Sequence, residues 1–290
     1  MLVDLVQTTT RDGVRLDGAF RSPARPGLAS LSVDAVCFVH GTGGCFYTST
    51  LFDGFAERLL DLGCSVLRVN TRGHDIISTA ATPRGGVRMG AAYETVDDCR
   101  HDLAAWTDWL RQRSGPRIGL IGHSSGALKC LYALAQEPQI GAACIVALSP
   151  PCLSYSRFCA SSQGPEFLET FQLAEGHFRE GRPATLLEIQ LPLPFVITAA
   201  GYLEKYGPDE RYNLLRFIAG VPCPTLVTFG GKEVVNNMAF QGLPEEVSAL
   251  AARNGRMRVE LIPGADHFYT DMREEVIRRT ETWLHSLAGK

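Results

Sequence analysis

The chain has 290 residues, 45% of them apolar, a formal net charge of −3 and nine cysteines. That is enough hydrophobic material for one large packed domain or two small ones, and it excludes a disordered chain. The near-neutral balance gives no broad attraction to nucleic acid or to acidic membranes, and no apolar run approaches the length of a membrane span.

Two short, partly alternating runs, 3–9 and 14–20, flank Arg11-Asp12-Gly13, which predicts an antiparallel hairpin. The stretch from Arg21 to Ser30, with Pro23, Pro26 and Gly27, reads as a loop. Ala35 to Val39 is continuously apolar, as in a strand buried on both faces, and leads straight into His40-Gly41-Thr42-Gly43-Gly44. Apolar residues at helical spacing predict a helix over 51–62, ended by Gly63. Ser65 to Val69 is the next strand and stops at Asn70-Thr71-Arg72-Gly73-His74-Asp75. Residues 76–92 read as a long loop in which Arg84 and Arg88 are solvated, while Arg72 braces its own turn; the alternative is that these arginines hold an anionic substrate group. A long amphipathic helix is expected over 93–113.

Strand 118–121 and helix 125–136 come next, joined by Gly122-His123-Ser124-Ser125-Gly126. This is the G-x-S-x-G pattern, a sharp strand-to-helix turn that lifts a strained serine off the sheet edge. Another buried strand, 142–148, is stopped by Ser149-Pro150-Pro151. Residues 152–220 then break the rhythm. They are rich in aromatic residues, and Pro165, Pro183, Pro192, Pro194 and Pro208 interrupt their helical stretches. They read as a cap inserted between the two parts of a core domain, 1–151 and 221–290. Strand 224–229 restores the rhythm and ends at Gly230-Gly231-Lys232-Glu233. Helix 244–252, strand 257–262 and a final helix over 271–287 with Asp271 as its N-cap complete the chain. Alternating strands and helices predict a mostly parallel sheet covered on both faces, with ligands at the carboxyl ends of the strands.

The chemically active residue types all follow strands. A serine hydroxyl needs a base to take its proton, and the base needs an acid to fix its tautomer. His267, after strand 257–262, fits the base. Glu233, after strand 224–229, is the first choice for the acid. Asp266 is the competitor, disfavoured because a carboxylate next in sequence rarely reaches the neighbouring ring. The oxyanion of a tetrahedral intermediate needs two backbone donors, expected from Ser125 and from Thr42, with Gly43 second. Gly41, Gly43, Tyr47 and His123 are expected to line the pocket, and Lys129 is read as structural.

Together, His40 to Gly44, Asn70 to His74, Gly122 to Gly126, Gly230 to Glu233 and Gly264-Ala265-Asp266-His267 resemble the ordered motifs of the α/β-hydrolase superfamily. The resemblance covers nearly the whole chain outside residues 152–220. It implies an α/β-hydrolase fold with a helical cap over the pocket, a Ser124-His267-Glu233 triad and an oxyanion hole from Thr42 and Ser125. Glu233 stands where most relatives carry Asp. A serine at the turn points to carboxylic-ester hydrolysis through an acyl-enzyme. Amide, lactone, thioester or carbon–carbon bond cleavage on the same triad is the alternative, with a non-catalytic ligand binder behind it.

The expected partner is a small-molecule ester, with no nucleic acid and no membrane span. A homodimer is left open. No cofactor is implied, and without a His/Cys cluster at ligand spacing no metal is expected. The odd cysteine count, the lack of a Cys-x-x-Cys pair and a start (Met1 to Gln7) without signal-peptide character point to a reducing cytoplasm.

Overall fold

The computed structural model of the protein describes residues 3–25 and 31–288. The chain opens with β1 (Asp4–Thr9), β2 (Arg15–Arg21), β3 (Ala35–Val39), α1 (Thr50–Asp61) and β4 (Ser65–Val69). It continues through β5 (Ser78–Thr82), β6 (Gly85–Met89), α2 (Cys99–Ser114), β7 (Ile118–His123), α3 (Ser125–Gln136) and β8 (Cys144–Leu148). Residues 152–220 carry α4 (Tyr155–Ala160), α5 (Gly164–Arg179), β9 (Leu186–Ile189), β10 (Phe195–Thr198), α6 (Ala199–Tyr206) and α7 (Leu214–Phe217). The last elements are β11 (Thr225–Gly230), α8 (Gly231–Asn236), α9 (Leu243–Asn254), β12 (Met257–Ile262) and α10 (Arg273–Leu287).

Eight strands form one sheet in the order β1-β2-β4-β3-β7-β8-β11-β12. β1 and β2 form the expected hairpin and β2 meets β4 antiparallel, whereas every later neighbour pair is parallel. The apolar strands divide their side chains between two cores because successive residues point to opposite faces. From β3, Val36 and Phe38 join Phe52 and Phe55 of α1 and Trp283 of α10. Ala35, Cys37 and Val39 face the other way, with Leu103 and Trp106 of α2 and nearly all of α3. β7 and β8, both fully buried, lie between these layers, so whatever follows them emerges at one rim of the sheet.

Several expectations need correction. Residues 76–92 are not a plain loop. β5 and β6 pair there as an antiparallel hairpin outside the main sheet. The small and threonine residues of 78–82 satisfy their backbone across a turn at Pro83-Arg84, and only Ala80, Val87 and Met89 turn toward the core, too few to give a periodicity signal. α2 begins only at Cys99, after a short 3-10 turn at Val96–Asp98. Residues 152–220 hold a sixteen-residue helix, α5, and a two-stranded β9–β10 sheet separate from the main one. α8 went unforeseen. Asp271 does not cap α10, whose N-cap is Met272 with no side-chain bond. Pro26 and Gly27 of the expected early loop lie outside the described residues. Among the described residues, no helix is long and apolar enough to cross a membrane.

Candidate active site

β7 runs into α3 through a turn with almost no spare room. A Cβ at Gly122 would sit 2.5 Å from the Gly126 carbonyl oxygen, and one at Gly126 would sit 2.2 Å from that of Val39. Only glycine fits either position. Ser124 between them takes φ 56 and ψ −126, a conformation costly for an L-residue, held by its N–H donating to Leu148 O (2.8 Å). The turn presents Ser124 to a cavity of about 570 Å³, whose wall also includes His40, Gly41, Thr42, His123 and His267.

β11 ends at Gly230, and Glu233 is the third residue of the short helix after it. Its Oε1 accepts from Gly230 N–H (2.6 Å), which fixes the side chain against its own turn. Its Oε2 meets His267 Nδ1 at 2.6 Å. A carboxylate only accepts, so Nδ1 carries the hydrogen and Nε2 is left as the basic lone pair. Asp266 makes no such contact. Its Oδ1 accepts from the amides of Phe268 (3.0 Å) and Thr270 (2.9 Å) and shapes the loop instead.

Behind Glu233 lies a buried hydroxyl chain that the motifs did not reveal. Ser149 Oγ donates to Glu233 Oε1 (2.6 Å), Tyr269 Oη stands 2.8 Å from Ser149 Oγ, and Thr228 Oγ1 stands 2.7 Å from Tyr269 Oη. With Ser149 committed as donor to an acceptor-only carboxylate, Tyr269 donates to Ser149 and Thr228 to Tyr269. Burial, followed by the nearby Glu233 charge, pushes the Tyr269 phenol well above its usual range, so it stays protonated. Ser149 (φ 51) and Tyr269 (φ 53) both hold positive φ, as Ser124 does. Strained backbone at Ser124, which lines the cavity, and at two buried residues of the hydroxyl chain behind Glu233 is the pattern of a functional site.

His123, inside the serine motif, ties the elbow to the histidine loop. Its Nε2–H donates to the His267 carbonyl (2.7 Å), and the two rings lie 4.8 Å apart. Burial, and then the neighbouring His267, lower its pKa from 6.5 to about 3, so it is neutral. Ser124 Oγ and His267 Nε2 face the same cavity, yet no hydrogen bond joins them. In ligand-free sites this contact is often long and tightens only when substrate is bound.

The amide donors are organised from behind. His40 Nδ1–H and Gly44 N–H both donate to the Gly41 carbonyl (2.8 and 3.1 Å), while His40 Nε2 accepts from Thr71 N–H (3.1 Å). Burial, and next the Lys129 ammonium, pull His40 down to about 4, which keeps it neutral in this role. A trans peptide whose carbonyl is held this way turns its N–H, that of Thr42, in the opposite direction. A Cβ at Gly41 would lie 3.1 Å from the Ser124 Cβ, so this backbone passes directly beside the serine. Ser125 opens α3, and its N–H has no intrahelical acceptor.

Two lining expectations fail. Gly43 is not in the cavity wall; its left-handed turn (φ 67) packs on Ile76 instead. Tyr47 is 68% exposed, with its ring edge-on to Phe46, and is not in the wall either. Gly41 and His123 do line the cavity. Arg72 is held by Asp12, Asp98 and Asp102, and Lys129 is buried against Glu94 (2.6 Å) together with Lys205 (3.3 Å).

Known proteins with this architecture include esterases and a lipase. Est1E from Butyrivibrio proteoclasticus, solved with ferulic acid bound, superposes with a TM-score of 0.66 at 18% identity, covering 98% of this chain and 100% of that one. The Pyrococcus furiosus esterase Pf2001 gives 0.64 at 22% identity, with 98% and 90% covered. A Paleococcus ferrophilus monoacylglycerol lipase gives 0.63 at 20% identity, with 93% and 98% covered. No curated protein sequence matches the chain. The model of the alpha/beta hydrolase family matches residues 38–279, which take in the elbow, the acid turn and the histidine loop, and the chain belongs to that family.

Proposed function

We propose that the protein is a serine hydrolase of carboxylic esters acting through an acyl-enzyme. Ser124 Oγ attacks the ester carbonyl while His267 Nε2 takes its proton, and Glu233 stabilises the imidazolium that forms. The Thr42 and Ser125 amides receive the oxyanion. The imidazolium then protonates the departing alkoxide as the C–O bond breaks. Water, deprotonated by the same imidazole, releases the acid and restores the Ser124 hydroxyl. Ser149 and Tyr269 hold Glu233 in register. Residues 152–220 serve as a cap, since Leu193, Pro194 and Phe195 lend an apolar side to the pocket. The nine free cysteines, eight of them buried, fit a reducing compartment such as the cytoplasm.

The observation that carries this reading is the 2.6 Å Glu233–His267 contact at the rim of the cavity that Ser124 enters from its elbow. The esterase and lipase relatives support it. Hydrolysis of p-nitrophenyl butyrate by the wild type, abolished in Ser124→Ala with unchanged circular dichroism, is the expected result. Retention of a tenth of the wild-type rate would remove Ser124 from the role of nucleophile.

A further inference from the structure

The cavity wall contains an arginine without a carboxylate. Arg273 opens α10 and lines the cavity shared by Ser124 and His267. It makes no hydrogen bond or ion pair among the described residues, and its Nε is enclosed without an acceptor. It is half-buried, whereas every other arginine lacking a carboxylate partner, Arg15, Arg84 and Arg256 among them, is exposed. The enclosed Nε–H has no acceptor, and a buried donor left unsatisfied is costly unless a ligand supplies the acceptor.

Nothing in the wall does so, because no Asp or Glu lines the cavity. Positive charge also lies behind another part of the wall. Phe195 lines the cavity, and the Lys205 ammonium lies over its ring, 5.4 Å from the centroid. Lys205 and Lys129 share the single carboxylate of Glu94. A concave, partly apolar site with a cationic group in its wall and no anion concentrates anionic ligands. The planar fork of an arginine suits a carboxylate through two parallel hydrogen bonds.

Resting on the ester-hydrolase reading, we propose that the natural substrate is an ester carrying a carboxylate, or an anion of like shape, which Arg273 holds while the ester carbonyl meets Ser124. Arg273 is thus a specificity residue, and a neutral ester of the same size leaves its guanidinium unsatisfied.

Paired substrates test this. p-Nitrophenyl half-esters of succinic to suberic acid, against p-nitrophenyl esters of monocarboxylic acids of equal length, put the charge on the acyl half. para-Acetoxybenzoate against its neutral methyl ester puts it on the alcohol half. In at least one arm the wild type should favour the anionic member in kcat/KM. Arg273→Gln should cut that anionic-to-neutral ratio about 10- to 100-fold, and Arg273→Lys should recover part of it. A ratio unmoved by both substitutions in both arms overturns the proposal.

Calorimetry separates this question from catalysis. Titrating free succinate to suberate into Ser124→Ala, with and without Arg273→Gln, requires no turnover. Binding that depends on Arg273 upholds the anion site even if no ester is hydrolysed, which would count against the hydrolase reading alone. Binding that ignores Arg273, or no binding beside active turnover of neutral esters, rejects the anion site and leaves the hydrolase reading standing.

Discussion

At the scale of single residues, the choice of acid is the sharpest question. Glu233 meets His267 Nδ1 with one carboxylate oxygen, while Gly230 N–H and Ser149 Oγ anchor the other. Asp266 is occupied by two amides of its own loop. Glu233→Gln should therefore lower kcat by about 100-fold or more, and Asp266→Asn by less than about tenfold, in steady-state ester hydrolysis. The reverse order would transfer the acid to Asp266. Ser124, His267 and Glu233 were legible because each follows an apolar strand within a glycine-marked turn. Ser149 and Tyr269 were not. Ser149 read only as a strand stop before two prolines, and its partner lies 120 residues further along the chain. The one available signal was position, since Ser149 follows a buried strand as the other site residues do.

At the scale of elements, the segment 152–220 is locked to the rest of the chain by charge as well as by packing. Lys205 of α6 and Lys129 of α3 meet Glu94, which precedes α2, and all three side chains are buried. Burial alone would raise the Glu94 carboxyl, but the two ammonium groups overcome it and hold it at about 2. Removing the shared anion leaves two buried cations facing each other. Glu94→Gln should cost about 3–5 kcal/mol in urea unfolding, and a loss below about 1 kcal/mol would contradict this account of the cluster. Lys129 was read as structural from its place on α3. The partnership with Lys205 could not be read, because no pattern in the sequence links a lysine in one helix to one 76 positions away. The β5–β6 hairpin was missed for a related reason. Its strands mix small, threonine and glycine residues without the alternation by which strands are recognised, whereas β3 and β8 are continuous apolar runs and β7 opens on one.

At the scale of the whole molecule, two buried histidines link stability to pH. His40 and His123 titrate at about 4 and about 3 in the folded chain, against 6.5 when unperturbed. As pH falls, the unfolded state binds these protons first. Their contribution is complete above about 6.5 and is lost as the pH drops toward their folded values. The urea midpoint should thus decline between pH 7 and pH 5, before ordinary carboxylates titrate, and a flat midpoint over that interval would contradict the buried, neutral state of both rings. The same histidines join distant parts of the fold, His40 bracing the Gly41–Thr42 peptide against Thr71 and His123 holding the His267 loop. The overall architecture was legible because strand and helix signals alternate through most of the chain. The convergence of residues 124, 233 and 267 was legible only through the general rule that such sheets gather their chemistry at one rim. In the proposed mechanism Ser124 is a nucleophile activated by His267 and Glu233. The most direct measurement is the intact mass of the protein after treatment with a fluorophosphonate, followed by peptide mapping. One equivalent attached to Ser124, none in Ser124→Ala and much slower labelling in His267→Ala is the predicted result; a folded protein that stays unlabelled, or is labelled elsewhere, would contradict it.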